Sequence, residues 1–252
     1  AANTAVGDNC MSANTTGGSN TAVGNQSLDA NTQGGSNVAM GQGSLSTNTT
    51  GSNNTALGKD ALALSTTASY NTAVGKSALE SNTTGTKNAA VGATALDANT
   101  TGSSNTAVGY NVLGANTTGS SNVAMGDGAL TSNTTADDNT AIGISALLVN
   151  TTGTQNVAIG NSTLDACTTG TRNVAVGTSA LSSSTSSSYN TAIGYGALFA
   201  NTGTQNAALG YAALLNSTAS NNVAVGNNAL TNNTSGTYNT AVGTFALQTA
   251  TT

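Results

Sequence analysis

The sequence contains no histidine, no proline and no tryptophan, and charged side chains make up only 5% of it. Each absence excludes something. Without His, the side chain that titrates near neutral pH and the commonest zinc ligand are missing, and nine Asp+Glu are few parts for general acid–base chemistry. Four Lys+Arg against those acids, a net charge of −5, argue against a nucleic-acid surface. No run of eighteen apolar residues occurs, so no membrane insertion is expected, and no basic segment precedes an apolar one as in an export signal. Missing proline suits a chain in which every backbone N–H is needed for pairing. This inventory predicts no enzyme: no catalytic residue, no metal site and no cofactor.

What is present is a repeat. An Asn-Thr-Ala-Val-Gly string, or a close variant, begins at Asn3 and recurs every 17 residues to Asn190, then at Asn206, Asn222 and Asn239, so that two spacings are 16. Counted from the leading Asn, position 1 is Asn, position 3 Ala and position 5 Gly in all fifteen copies. Position 4 is Val, Ile, Leu or Met, and position 9 is Leu except for Met11. Position 13 is Thr from Thr15 to Thr251, and position 12 is mostly Asn. Positions 6, 7, 10, 16 and 17 vary and collect all the charge and every Tyr.

The pattern predicts an all-β fold, a parallel β-solenoid of about 15 coils with 16–17 residues per coil, as a single uncapped array over residues 1–252. Each run is too short and too Gly-interrupted for a helix. Positions 2 and 4 share a strand face and are expected to fill the interior beside the Leu column. A second brief strand is expected near positions 8 and 9, with Asn-Thr-Thr-Gly as a turn or a third strand. Stacking places equivalent residues about 4.8 Å apart. The leading asparagines, among them Asn20, Asn37, Asn71, Asn105, Asn139 and Asn173, are then expected to form a side-chain ladder, and the Thr column a second one. The alanines of position 3, such as Ala22, Ala39, Ala73, Ala107, Ala141 and Ala175, face away from positions 2 and 4. They are candidates for an interchain contact, or else line an unusual inward corner. Ala1, Ala2, Asn3, Thr251 and Thr252 are the expected assembly ends. Laying Ala1 after Thr252 reproduces a 16-residue spacing, so copies can stack end to end, or the chain is a stretch of a longer fibre.

The Asn-Thr-Ala-Val-Gly copies and their Asn-Thr-Thr-Gly spacers resemble two groups. One is the head repeat of trimeric autotransporter adhesins, whose coils carry an Asn-Ser-Val-Ala-Ile-Gly-like motif. The other is the shaft of phage-tail-fibre-like bacterial proteins, with Asn-Thr-Ala-Val-Gly-Tyr-x-Ala-Leu runs similar to Asn190–Leu198 here. The resemblance implies left-handed coils, an extracellular or cell-surface location and a fibrous, often trimeric element. The 17-residue coil is longer than the adhesin repeat.

The expected function is therefore structural: an extracellular filament built by end-to-end stacking, with copies of the same chain as partners, head to tail and laterally or as trimers. The alternative is a shaft or head segment of an adhesin or tail fibre that binds a surface receptor, with cell-surface or glycan contacts. Ice binding on the interrupted Thr-Gly-Thr copies is a third reading. Cys10 and Cys167, about nine coils or roughly 43 Å apart, are too distant for a disulfide, which needs Cα atoms within about 7 Å. Cys10 is expected as a buried thiol, and Cys167 is a candidate for an interchain bond. Asn-x-Ser/Thr triplets make Asn14, Asn48, Asn82, Asn99, Asn116, Asn133 and Asn150 candidate glycosylation sites. Asp8, Asp29, Glu80, Asp97 and Asp165 lack calcium-binding repeat spacing and read as solvated charge. Tyr70, Tyr189 and Tyr238 at position 17, with Tyr110, Tyr195 and Tyr211 at position 6, read as adhesive contacts or as packing over a corner.

Overall fold

The computed structural model describes residues 2–249, in two compact units, Ala1–Asn122 and Val123–Thr252. Both are parallel β-solenoids, and no helix occurs among the described residues. The first unit holds seven three-residue strands: β1 (Thr4–Val6), β2 (Thr21–Val23), β3 (Val38–Met40), β4 (Thr55–Leu57), β5 (Thr72–Val74), β6 (Ala89–Val91) and β7 (Thr106–Val108). The second holds β8 (Val123–Met125), β9 (Thr140–Ile142), β10 (Val157–Ile159), β11 (Val174–Val176), β12 (Thr191–Ile193), β13 (Ala207–Leu209), β14 (Val223–Val225) and β15 (Thr240–Val242). Within each unit every strand pairs in parallel with the next at equal repeat positions, Ala22 opposite Ala39 and Ala175 opposite Ala192. The 16-residue coils keep that register, since Ala192 pairs with Ala208 and Ala208 with Ala224. The missing residue is taken from the polar turn: Asn201 Nδ2 reaches the carbonyl two residues on, at Gly203, where Asn82 reaches three residues on to Gly85.

The strand occupies positions 2 to 4 only, and its orientation corrects the sequence reading. Ala22, Ala39, Ala73, Ala107, Ala141 and Ala175 are fully buried inside their own coil and touch no surface, so they are not an interchain face. Positions 2 and 4 point outward: Met40, Ile193 and Leu209 are 45%, 38% and 48% exposed. Alternation puts position 3 opposite positions 2 and 4, and the coil interior there takes a methyl group, so the larger β-branched side chains take the outer face.

The expected second strand does not occur among the described residues. Positions 6 to 11 form turns, and φ is positive at position 7 and again at position 9, as in Asp60 (+57°) and Leu62 (+53°). The reason is geometric. The small residue at position 8 and the Leu at position 9 are both fully buried, as in Ala61 and Leu62, and neighbours in an extended strand cannot face the same way. Left-handed backbone at Leu costs about 1–2 kcal/mol, and burying the side chain offsets it with about 1.5–3 kcal/mol. Backbone pairing between coils continues through the turn: Leu28 N donates to Ser44 O and Leu45 N to Ala61 O, both at 3.0 Å.

Position 5 needs glycine for two reasons at once. At Gly75 φ is +134°, outside the left-handed well that other residues visit, and an added Cβ would lie 2.5 Å from the Gly92 carbonyl oxygen of the next coil.

Candidate assembly and binding surfaces

The interior is narrow: one Leu, small apolar groups and two amides per coil. The leading asparagines from Asn20 to Asn222 are buried struts. Asn20 Nδ2 crosses its coil to the Gly34 carbonyl at 2.9 Å, while Asn20 Oδ1 accepts the backbone N–H of Asn37 in the next coil at 2.9 Å. Asn71, Asn105, Asn139 and Asn173 send Nδ2 in the same way to Gly85, Gly119, Gly153 and Ser187. The next backbone amide closes the rung at Asn37, Asn71, Asn105, Asn139 and Asn173, whose Oδ1 atoms accept from Asn54, Asn88, Asn122, Asn156 and Asn190. The Thr column works through carbonyls: Thr32 Oγ1 donates to Thr49 O at 3.0 Å and Thr49 Oγ1 to Thr66 O at 3.1 Å.

A second amide ladder was hidden inside the apparent glycosylation triplets. Asn48, Asn82, Asn99, Asn116, Asn133 and Asn150 at position 12 are fully buried, and Asn14 is half-buried. Asn99 Nδ2 donates to Asn82 Oδ1 and Asn116 Nδ2 to Asn99 Oδ1, both at 2.8 Å, and each also reaches the carbonyl three residues on. Asn14 Nδ2 is held by the Gly17 carbonyl at 3.0 Å. A glycan has no room at the buried nitrogens, so those six positions are structural rather than modification sites. The triplet is local sequence, whereas access to it is set by the coil.

Where position 12 is not Asn, the ladder is broken. Ser65 follows Asn48 and Cys167 follows Asn150, and neither side chain can donate as an amide does. Asn48 Oδ1, Ser65 Oγ and Asn150 Oδ1 are left buried without a hydrogen-bond partner. Cys167 itself is fully buried with its Sγ toward the Gly170 carbonyl, and both cysteines are free thiols. An interchain bond from Cys167 is thereby excluded for the folded coil. Cys10 is half-buried, its Sγ donating to Ala22 O at 3.2 Å. Burial pushes both thiols above the ordinary cysteine range, so both are poor nucleophiles near neutral pH.

Of the assembly ends, Ala2 accepts the backbone N–H of Ser19, and Asn3 Oδ1 accepts the Asn20 N–H at 2.8 Å. Ala1, Thr251 and Thr252 lie outside the described residues. Among the described residues no three His, Cys, Asp or Glu side chains come together as a metal site. Burial raises the Asp97 carboxyl above its ordinary range, with two backbone N–H groups opposing and the charge of Glu80 adding.

The outer surface carries three features. The first is the uncharged stripe of positions 2 and 4, with Thr, Val or Ala at position 2 and Val, Ile, Leu or Met at position 4. The second is a basic contact at Arg172, whose Nε donates to Gln155 Oε1 at 2.8 Å and whose guanidinium lies 5.3 Å from the Tyr189 ring. The third is a tyrosine pair: the rings of Tyr195 and Tyr211 stack with centroids 5.5 Å apart and planes 8° from parallel. All six tyrosines stay more than half exposed, so they do not pack as covers over a corner.

No family model matches this sequence, and no curated protein is similar to it.

Proposed function

We propose that the chain is a structural protein of an extracellular filament, lengthened by coil-on-coil stacking between copies. One observation carries this reading: within each unit the backbone pairing, the leading-Asn bond and the Thr bond recur from coil to coil. Each coil presents the same backbone donors and acceptors, the same Asn Oδ1 and the same Thr carbonyl to its neighbour. A surface that binds its own translated copy makes a heterologous contact, and such contacts give open filaments unless a rotation closes them. Unpaired strand edges template further pairing.

The stripe at positions 2 and 4 supports side-by-side packing of such filaments, or a bundle of a few chains, as in the shaft reading. Val, Ile, Leu and Met recur at position 4 at the coil spacing, beside Thr, Val or Ala at position 2, with no charge among them. The test is electron microscopy and fibre diffraction of the purified chain. Filaments with a meridional repeat near 4.8 Å are expected. Monodisperse single-chain particles at every concentration in analytical ultracentrifugation would overturn the proposal.

A further inference from the structure

In the second unit a cleft of about 360 Å³ opens on the outer surface over the coils that begin at Asn190 and Asn206. Tyr195 and Tyr211, at position 6 of those coils, form one wall through their stacked rings. Phe199 and Leu215, at position 10 of the same coils, line it as well. In the sequence the coil that begins at Asn190 alone carries aromatic residues at both positions, Tyr195 and Phe199. Gly196 leaves the space between them open, because an added Cβ there would meet only Leu215 Cδ1, at 3.5 Å. The polar groups are Ser179 and Asn216, whose Nδ2 donates to Asn232 Oδ1 at 3.0 Å and so leaves the side-chain carbonyl as an acceptor.

We infer that this cleft binds a neutral saccharide through one of its pyranose rings. Aromatic and aliphatic side chains line it together with residues that carry two phenol hydroxyls, a serine hydroxyl and an amide. A sugar ring has the matching division, with C–H groups on its faces and hydroxyls around its rim. Tyrosine suits such a ligand, since its ring is apolar and its tip hydrogen-bonds. No Asp, Glu, Lys or Arg lines the cleft, so nothing there recruits a phosphate, a sulfated glycan or a cation. A purely apolar ligand would leave the hydroxyl and amide groups unused. The volume is at the small end of ligand clefts, about 300–1,000 Å³, which suits a ring or two of a longer chain. The inference uses the side of one unit and stands independently of filament growth.

Isothermal titration calorimetry on the full chain tests it, with cellohexaose, maltohexaose and mannohexaose as probes, and with a heparin hexasaccharide and 4-methylphenol as comparators. At least one neutral hexasaccharide is expected to bind with a Kd of about 1 mM or tighter, with no loss in about 1 M NaCl. Tyr211→Asn and Gly196→Asn are each expected to weaken it about tenfold or more. Both variants suit the fold, since Asn already occupies position 6 at Asn25 and Asn161, and position 7 at Asn111 and Asn228 with φ of +53°. Tyr110→Asn, in the other unit, is expected to leave affinity unchanged. The inference is overturned if no neutral saccharide binds at about 10 mM, if Gly196→Asn binds as well as the parent chain, or if only heparin or 4-methylphenol binds.

Discussion

A single residue type at position 12 sets whether buried amides are satisfied. An orphaned buried acceptor costs about 1–3 kcal/mol. Ser65→Asn restores a donor beneath Asn48, and Cys167→Asn one beneath Asn150, so each is expected to stabilise its unit by about 1 kcal/mol. The position tolerates the change, because Asn133 already bonds the carbonyl of an Ala, Ala136, as position 65 would bond Ala68. An upward shift of the urea midpoint at unchanged slope reports this, and a downward shift would show that the ladder is not the limiting contact. The same burial governs thiol chemistry. With an aromatic disulfide reagent at neutral pH, Cys10 is expected to react slowly and Cys167 only on unfolding. Equal rates would contradict the burial of Cys167. Asp97 has its folded pKa raised by burial, so the folded state binds more protons than the unfolded one between the ordinary Asp value and the raised one. Its contribution to stability therefore falls as pH rises through that window. Asp97→Asn is expected to raise the melting temperature at pH 7 and to leave it unchanged below the ordinary Asp range, which a pH series of thermal melts reads directly.

At the scale of the coil, one strand, one left-handed turn and one polar turn repeat, and glycine is indispensable at one place. Gly75→Ala combines a disfavoured φ with a collision against the Gly92 carbonyl, and a loss of about 3 kcal/mol or more is expected. Position 15 behaves differently. Gly85→Ala is expected to cost less than Gly75→Ala, since φ there is not positive and Ala68 and Ala136 already stand at that position, but the turn must shift because an added Cβ would lie 2.2 Å from the Gly102 carbonyl oxygen. Chemical denaturation of the two variants separates the two glycines. The period of the sequence made the coil legible, because equal residues at equal spacing stack in register. The single strand per coil was not legible. Two adjacent inward residues, as at Ala78 and Leu79, signal a bend rather than a strand, yet that signal depends on knowing that both are buried.

For the whole molecule, the exposed stripe and the repeating coil interface separate the two proposed modes of assembly. Ile193→Lys together with Leu209→Lys adds charge to the side of the second unit without touching its interior. Each change is expected to alter stability by no more than about 0.5 kcal/mol, to abolish lateral bundling and to leave single filaments in micrographs. Loss of the filaments themselves would mean that side contacts, not coil stacking, drive growth. What the sequence determined by itself was the repeat, its parallel stacking and the columns of Asn, Thr and Leu, because these follow from spacing alone. The tertiary structure decided which face lies inside. Alternation says that positions 2 and 4 oppose position 3 and is silent on the side, and the width of the coil settles it: a methyl fits, a β-branched side chain does not. The same enclosure turned six apparent glycosylation triplets into ladder positions, because an amide nitrogen buried and donating inside a coil has no room for a glycan.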